Sequence, residues 1–143
     1  MKKTKRMSTF ILTIMLILFA NIGVYAITNE DITGQEPSLA YTYTSSVKST
    51  ISLSGKTASC KSAIIGNGTV TKIIVTQTLQ KYTGTNWTNV TSWSKTYASN
   101  SAVYSNSKSS LTAGTYRTRT VAKVYKGTSY ETVSANSSNV RVA

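Results

Sequence analysis

From Tyr41 onward apolar and polar residues alternate with a period of two, and no stretch keeps a helical period. Residues 57–65 place Ala58, Cys60 and Ile64 on one face and Lys61 opposite. Residues 70–82 place Ile73, Val75 and Leu79 together, with Lys72, Thr76, Thr78 and Gln80 opposite; Gln77 sits on the apolar face as a mild violation. Weaker alternation marks residues 46–54, through Val47, Ile51 and Leu53, and residues 102–105, 115–126 and 129–134. Between Trp87 and Tyr97 the rhythm slips, because Trp87, Val90 and Trp93 are three apart. A bulge or break between two short strands is expected there.

Turn chemistry separates these segments. Gly66-Asn67-Gly68 is expected to supply positive φ and close a hairpin, and Thr83-Gly84-Thr85-Asn86 and Lys126-Gly127-Thr128 to close two more. Short strands with turns every ten or so residues predict an all-β fold, a single antiparallel sandwich of about seven strands over residues 41–143. Alternation also predicts one wet face per sheet. Lysines scattered over those faces discourage edge-to-edge association.

The first 40 residues follow other rules. Lys2, Lys3, Lys5 and Arg6 precede an apolar run from Phe10 to Ala20, and Val24-Tyr25-Ala26 has the small-x-small character of a cleavage site. Residues 1–26 read as a signal peptide, its run short for a bilayer span. Residues 27–40 hold the only proline and three of the four acids, Glu30, Asp31 and Glu36, and read as a flexible acidic leader. The expectation is an exported chain, secreted or wall-associated, with no membrane insertion after signal cleavage. Its length suits one domain. Cys60 is the only cysteine, so no internal disulfide can form; in its alternating strand it reads as a small buried hydrophobe rather than a dimer-forming thiol.

Charge and residue inventory narrow the function. The 143 residues hold 16 Lys and Arg against 4 Asp and Glu, a formal net charge of +12, and past residue 40 only Glu131 is acidic. Such a body attracts anionic polymers, and salt should weaken the attraction. The chain has no histidine, which excludes thiol–imidazole and Ser–His–Asp sites. Glu131 alone cannot form a carboxylate pair in the body, and one cysteine without histidine gives no zinc or transition-metal site. Ser105 and Lys108 have Ser-x-x-Lys spacing but are expected in a polar loop rather than on a helix. No enzyme activity, cofactor or metal is expected.

Two resemblances add to this. Leu111-Thr112-Ala113-Gly114-Thr115-Tyr116 resembles the E–F corner of immunoglobulin-like sandwiches, where a tyrosine hydroxyl bonds back to the corner backbone. The resemblance implies structural roles for Leu111, Gly114 and Tyr116. It also puts Cys60 near one half of that fold's inter-sheet disulfide, while Thr118 stands where the other half would be. Val75 lies about where the strand C tryptophan would be, and a hairpin at Gly66-Asn67-Gly68 departs from the pattern. A wider set resembles a family of small secreted Gram-positive bacterial proteins of unknown function. It comprises Ser54-Gly55-Lys56-Thr57-Ala58-Ser59-Cys60, Thr78-Leu79-Gln80-Lys81, Trp87 through Trp93, Gly114-Thr115-Tyr116-Arg117 and Val124-Tyr125-Lys126-Gly127. That resemblance implies export and a β-sandwich and carries over no catalytic residue.

What remains is surface. Along residues 115–125, Arg117, Arg119, Val121, Lys123 and Tyr125 share the face opposite Tyr116, Thr118, Thr120, Ala122 and Val124. If this strand neighbours residues 70–82, Lys72 and Tyr82 join the basic face. Basic side chains beside tyrosines suit a polyanion or glycan platform; the plainer reading is a solvated strand face made of good β-formers and soluble charges. Trp87 and Trp93 could stack on sugars if exposed, or fill the core beside Val90 if buried, Trp93 being the better core candidate. The candidate ligand-binding set is Lys72, Tyr82, Trp87, Arg117, Arg119, Lys123 and Tyr125. The expected role is non-catalytic attachment to an anionic cell-wall polymer or glycan, with nucleic acid ranked behind it. The alternatives are a structural protein of an extracellular matrix and a cationic bacteriocin-like protein. The sequence sets no oligomeric state.

Overall fold

The computed structural model describes residues 40–143. The expected signal peptide and, apart from Ala40, the acidic leader lie outside the described residues. Eight strands follow one another: β1 (Thr44–Ser54), β2 (Thr57–Gly66), β3 (Lys72–Tyr82), β4 (Trp87–Tyr97), β5 (Ser101–Lys108), β6 (Gly114–Lys126), β7 (Ser129–Asn136) and β8 (Val140–Val142). They form two antiparallel sheets, one ordered β1-β2-β5, the other β4-β3-β6-β7 with β8 also on β6. Among the described residues there is no helix.

Local chemistry closes three hairpins. Ser54 pairs with Thr57 across Gly55-Lys56, and Lys126 pairs with Ser129 across Gly127-Thr128. In both loops the first residue is a glycine at positive φ, 57° and 60°, which suits a two-residue turn between twisted strands. The β3–β4 turn is longer, with Thr83 N–H donating to Asn86 O at 2.9 Å and Gly84 at φ 99°.

Three expectations need correction. Gly66-Asn67-Gly68 is not a hairpin: β2 and β3 lie in different sheets, and neither glycine has positive φ. The segment is a crossover, and Gly66 is needed for space, because a Cβ there would lie 2.6 Å from Val70 Cγ2. Asn67 secures it by donating to Thr42 O and accepting from Thr69 N–H and Oγ1–H. Second, Trp87–Tyr97 is one strand. Its register on β3 steps from Leu79↔Thr91 to Gln80↔Asn89, so Val90 is the extra residue of a bulge and lies 40% exposed rather than in the core. Third, Ser105 and Lys108 are in strand β5, not a loop; an odd offset points them to opposite faces. β8 had no sequence signal, being three residues long.

The inward faces build a core in two apolar clusters. One gathers around Ile64, Ile73, Val75 and Val124, the other around Cys60, Leu79, Leu111 and Tyr116, with Trp93 half-buried against the second. Between them runs a polar relay. Asn106 Nδ2 donates to Gln77 Oε1 (2.9 Å), and Gln77 Nε2 donates to Ser62 Oγ (2.8 Å) and Tyr104 O (3.1 Å). Ser62 Oγ and Thr120 Oγ1 are 2.6 Å apart, Thr120 Oγ1 and Ser49 Oγ 3.0 Å, and Ser49 Oγ donates to Thr118 O. The Thr118 carbonyl can only accept, so Ser49 spends its proton there. Thr120 must then donate to Ser49, and Ser62 to Thr120. Each hydroxyl donates once and accepts at least once, which lets Gln77 sit fully buried between Val75 and Leu79.

Candidate functional site

β3 pairs with β6, and this decides the geometry of the basic face. Gln80 lies opposite Arg117, Thr78 opposite Arg119, Ile74 opposite Lys123 and Lys72 opposite Tyr125. β4 adds Trp87 opposite Tyr82, and β7 adds Tyr130 opposite Tyr125. All seven candidate ligand-binding residues, Lys72, Tyr82, Trp87, Arg117, Arg119, Lys123 and Tyr125, therefore share the outer face of the β4-β3-β6-β7 sheet. From Arg117 to Tyr125 the face runs about 27 Å at strand rise.

Its two ends hold the aromatic residues. At one end the Arg117 guanidinium lies over the Trp87 ring, Cζ 4.2 Å from the centroid, and Tyr82 packs on Trp87 at 5.2 Å. Arg117 Nε donates to Gln80 Oε1 and Gln80 Nε2 donates to Asn89 Oδ1, both at 2.9 Å. Gln80 is 6% exposed although it points to the wet side. Tyr82 Oη donates to Gly84 O at 2.8 Å, so the turn fixes that ring. At the other end Lys72 Nζ stands 4.0 Å over Tyr125, Tyr125 packs on Tyr130 at 5.1 Å, and Lys123 Nζ stands 5.1 Å over Tyr130. Between them lie Thr76, Thr78, Ser92 and Ser94, whose hydroxyls pair across β3 and β4.

The face carries no carboxylate among the described residues. Glu131 projects from the other side of β7, where its carboxylate accepts from Thr42 N–H and Tyr43 N–H at 2.8 Å each. Burial alone would raise that carboxyl, but the neighbouring Thr44 hydroxyl and the backbone N–H groups of Thr42, Tyr43 and Thr44 hold its pKa below the ordinary carboxylate value. Burial, and then the like charge of Arg119, lower Arg117 from the usual guanidinium pKa. Arg117 and Arg119, two apart on one strand, are about 7 Å apart along it.

The four structural candidates sit beneath the Arg117 end of the face, in the core and at the corner leading into β6. Tyr116 is buried and its Oη donates to Thr112 O at 2.7 Å; Leu111 is buried, its N–H donating to Lys56 O. Gly114 has φ 148°, and a Cβ there would lie 2.5 Å from Lys81 Cε. The Lys81 stem crosses that gap, and its Nζ donates to Thr112 Oγ1 at 2.7 Å. Cys60 is a buried free thiol; burial pushes its pKa up, partly offset by the Thr118 hydroxyl.

Sequence reasoning put Gln80 on the same side as Lys72 but gave it no role, and it missed Asn89, Tyr130 and Arg141 as members of the basic face. Tyr130 has the right parity and could have been found from the alternation that found Lys72. Asn89 could not, because the Val90 bulge resets parity along β4. Arg141 lies opposite Thr115 on β8, on the Arg117 side of β6, and no signal marked that strand.

The other sheet's outer face is shallowly hollowed and bears Thr50, Ser52, Ser59, Ser105 and Ser107 with Lys61. Ile65 and Val103 stand exposed on it. Among the described residues no three His, Cys, Asp or Glu side chains converge as metal ligands, and no helix is long and apolar enough to cross a membrane. Compared with known proteins, the chain matches no family model, no curated protein and no solved structure.

Proposed function

We propose that this is an exported, non-catalytic immunoglobulin-like β-sandwich that attaches to anionic cell-wall polymer or glycan through the outer face of the β4-β3-β6-β7 sheet. One observation carries the reading: Lys72, Arg117, Arg119, Lys123 and Arg141 share a face with their neighbouring aromatic rings, and among the described residues no carboxylate lies on it. In such an arrangement the charges add rather than cancel, and a chain lying along the strands meets several at once. The strand order supports the immunoglobulin-like part. β1-β2-β5 corresponds to strands A-B-E and β3-β6-β7 to C-F-G, with β4 in the position of C′ and Tyr116 at the E–F corner. The lack of histidine, the opposed directions of Ser105 and Lys108, and the engaged Glu131 carboxylate support a role without catalysis. The signal-like segment at residues 1–26 supports export to a surface where such polymers occur.

The test is retention of the purified protein on isolated walls, with and without their anionic polymer, across a salt series. Retention at low salt that falls steadily as salt rises, and falls further in R117E/R119E/K123E, is expected. Salt-independent retention, or none at low salt, would refute the reading.

A further inference from the structure

The two ends of the basic face are built differently, and the difference bears on what each can recognise. Lys72 and Lys123 rest on tyrosines as flexible point charges. Arg117 is held from two directions. Trp87 supports its plane at 4.2 Å, and Gln80 takes its Nε–H at 2.9 Å. Gln80 cannot swing away easily, because it is 6% exposed and its amide nitrogen is committed to Asn89. A buried, doubly bonded glutamine on the wet side of a sheet does little for the core; it fixes the guanidinium.

With Nε engaged, the guanidinium edge that remains carries the two terminal nitrogens. Neither has a protein partner among the described residues, and their parallel N–H groups match two oxygens of one phosphate or carboxylate. Beside this fork stands Tyr82, 41% exposed, its ring held by the Trp87 contact and by the hydroxyl bond to Gly84 O. A fixed fork next to a fixed aromatic ring suits a ligand with an oxyanion attached to a ring that can stack.

We propose that Arg117, Tyr82 and Trp87, positioned by Gln80 and Asn89, form a discrete subsite for an anionic sugar, a pyranose bearing a phosphate or carboxylate. The proposal rests on the platform reading and refines it: the polymer binds by charge along the face, and this end selects the ring that carries the charge. Arg117 and Tyr82 contact the ligand. Gln80 and Asn89 are positioning residues.

The experiment titrates glucose 6-phosphate, glucuronate, glucose and inorganic phosphate into the isotope-labelled protein. It follows the Arg117 Nε–H and Trp87 indole N–H signals by NMR, with Trp93 as an internal control. Both signals should move with glucose 6-phosphate or glucuronate, the responding arm identifying the oxyanion, and move much less with glucose or phosphate alone. R117K keeps the charge but loses the fork, and should weaken binding about tenfold, whereas R119K should weaken it less than about twofold. Q80M should weaken binding severalfold while leaving the amide spectrum of the fold intact; if Q80M fails to fold, the surface change R117K decides. Equal responses to phosphate and to the anionic sugars, or equal effects of R117K and R119K, would overturn the subsite. Wall retention that still falls with salt would then leave the platform standing. A responding Arg117 signal without wall retention would uphold the subsite and remove the platform.

Discussion

Replacing Gln77 with methionine keeps the length of the side chain and removes all three of its hydrogen bonds, to Ser62, to Tyr104 O and from Asn106. At about 1 kcal/mol net per bond the loss is about 3 kcal/mol. Burying a methyl and a sulfur where an amide stood returns about 1 kcal/mol, leaving about 2 kcal/mol of destabilisation. For a domain of this size that lowers Tm by about 10 °C. Urea unfolding followed by tryptophan fluorescence measures it, since Trp93 lies opposite Gln77 in register and packs on the adjacent apolar cluster. The midpoint should fall with m unchanged. A double-mutant cycle with S62A should show coupling of about 1 kcal/mol, because the two changes break the same bond. A Q77M midpoint at or above that of the natural chain would refute the reasoning. It would mean that the relay is tolerated by the sandwich rather than holding its sheets together.

Three further outcomes follow from the same geometry. G114A forces an alanine into φ 148° against the Lys81 stem and should cost about 1–3 kcal/mol, more than the ~1 kcal/mol for Y116F, which loses the short bond to Thr112 O and the longer contact with Thr112 Oγ1; urea midpoints in the reverse order would count against the corner as described. The folded-state pKa of Glu131 is lowered, so its contribution is present above the ordinary carboxylate pKa and is lost as pH falls through the folded value; E131Q should flatten that acid limb in thermal melts between neutral and acidic pH. The Cys60 thiol, buried and raised in pKa, should resist a thiol reagent in native buffer and react at once in urea, and rapid native labelling would contradict its place in the core.

Much of the candidate face was legible because strand geometry is local. Arg117, Arg119, Lys123 and Tyr125 share a side by parity alone, and so do Lys72 and Tyr82. Errors arose where locality failed. Gly66-Asn67-Gly68 has hairpin composition, yet Val70 folds back against Gly66 and the chain changes sheets. Gln77 looked like a blemish on an apolar face because its partners, Ser62, Tyr104 and Asn106, come from two strands of the opposite sheet.

By itself, then, the sequence determined that this chain makes strands, which side chains share a side of each, and that the body is basic. Period-two alternation and glycine turns act within a few residues and need no distant partner. Only the tertiary structure decided that β6 lies against β3, that the Trp87 end of β4 meets Arg117, and that β8 brings Arg141 beside them. Backbone ladder bonds are the same for any pair of strands, so neighbours are chosen by inward packing of residues far apart in the chain. That packing gathers the outward charges into one face.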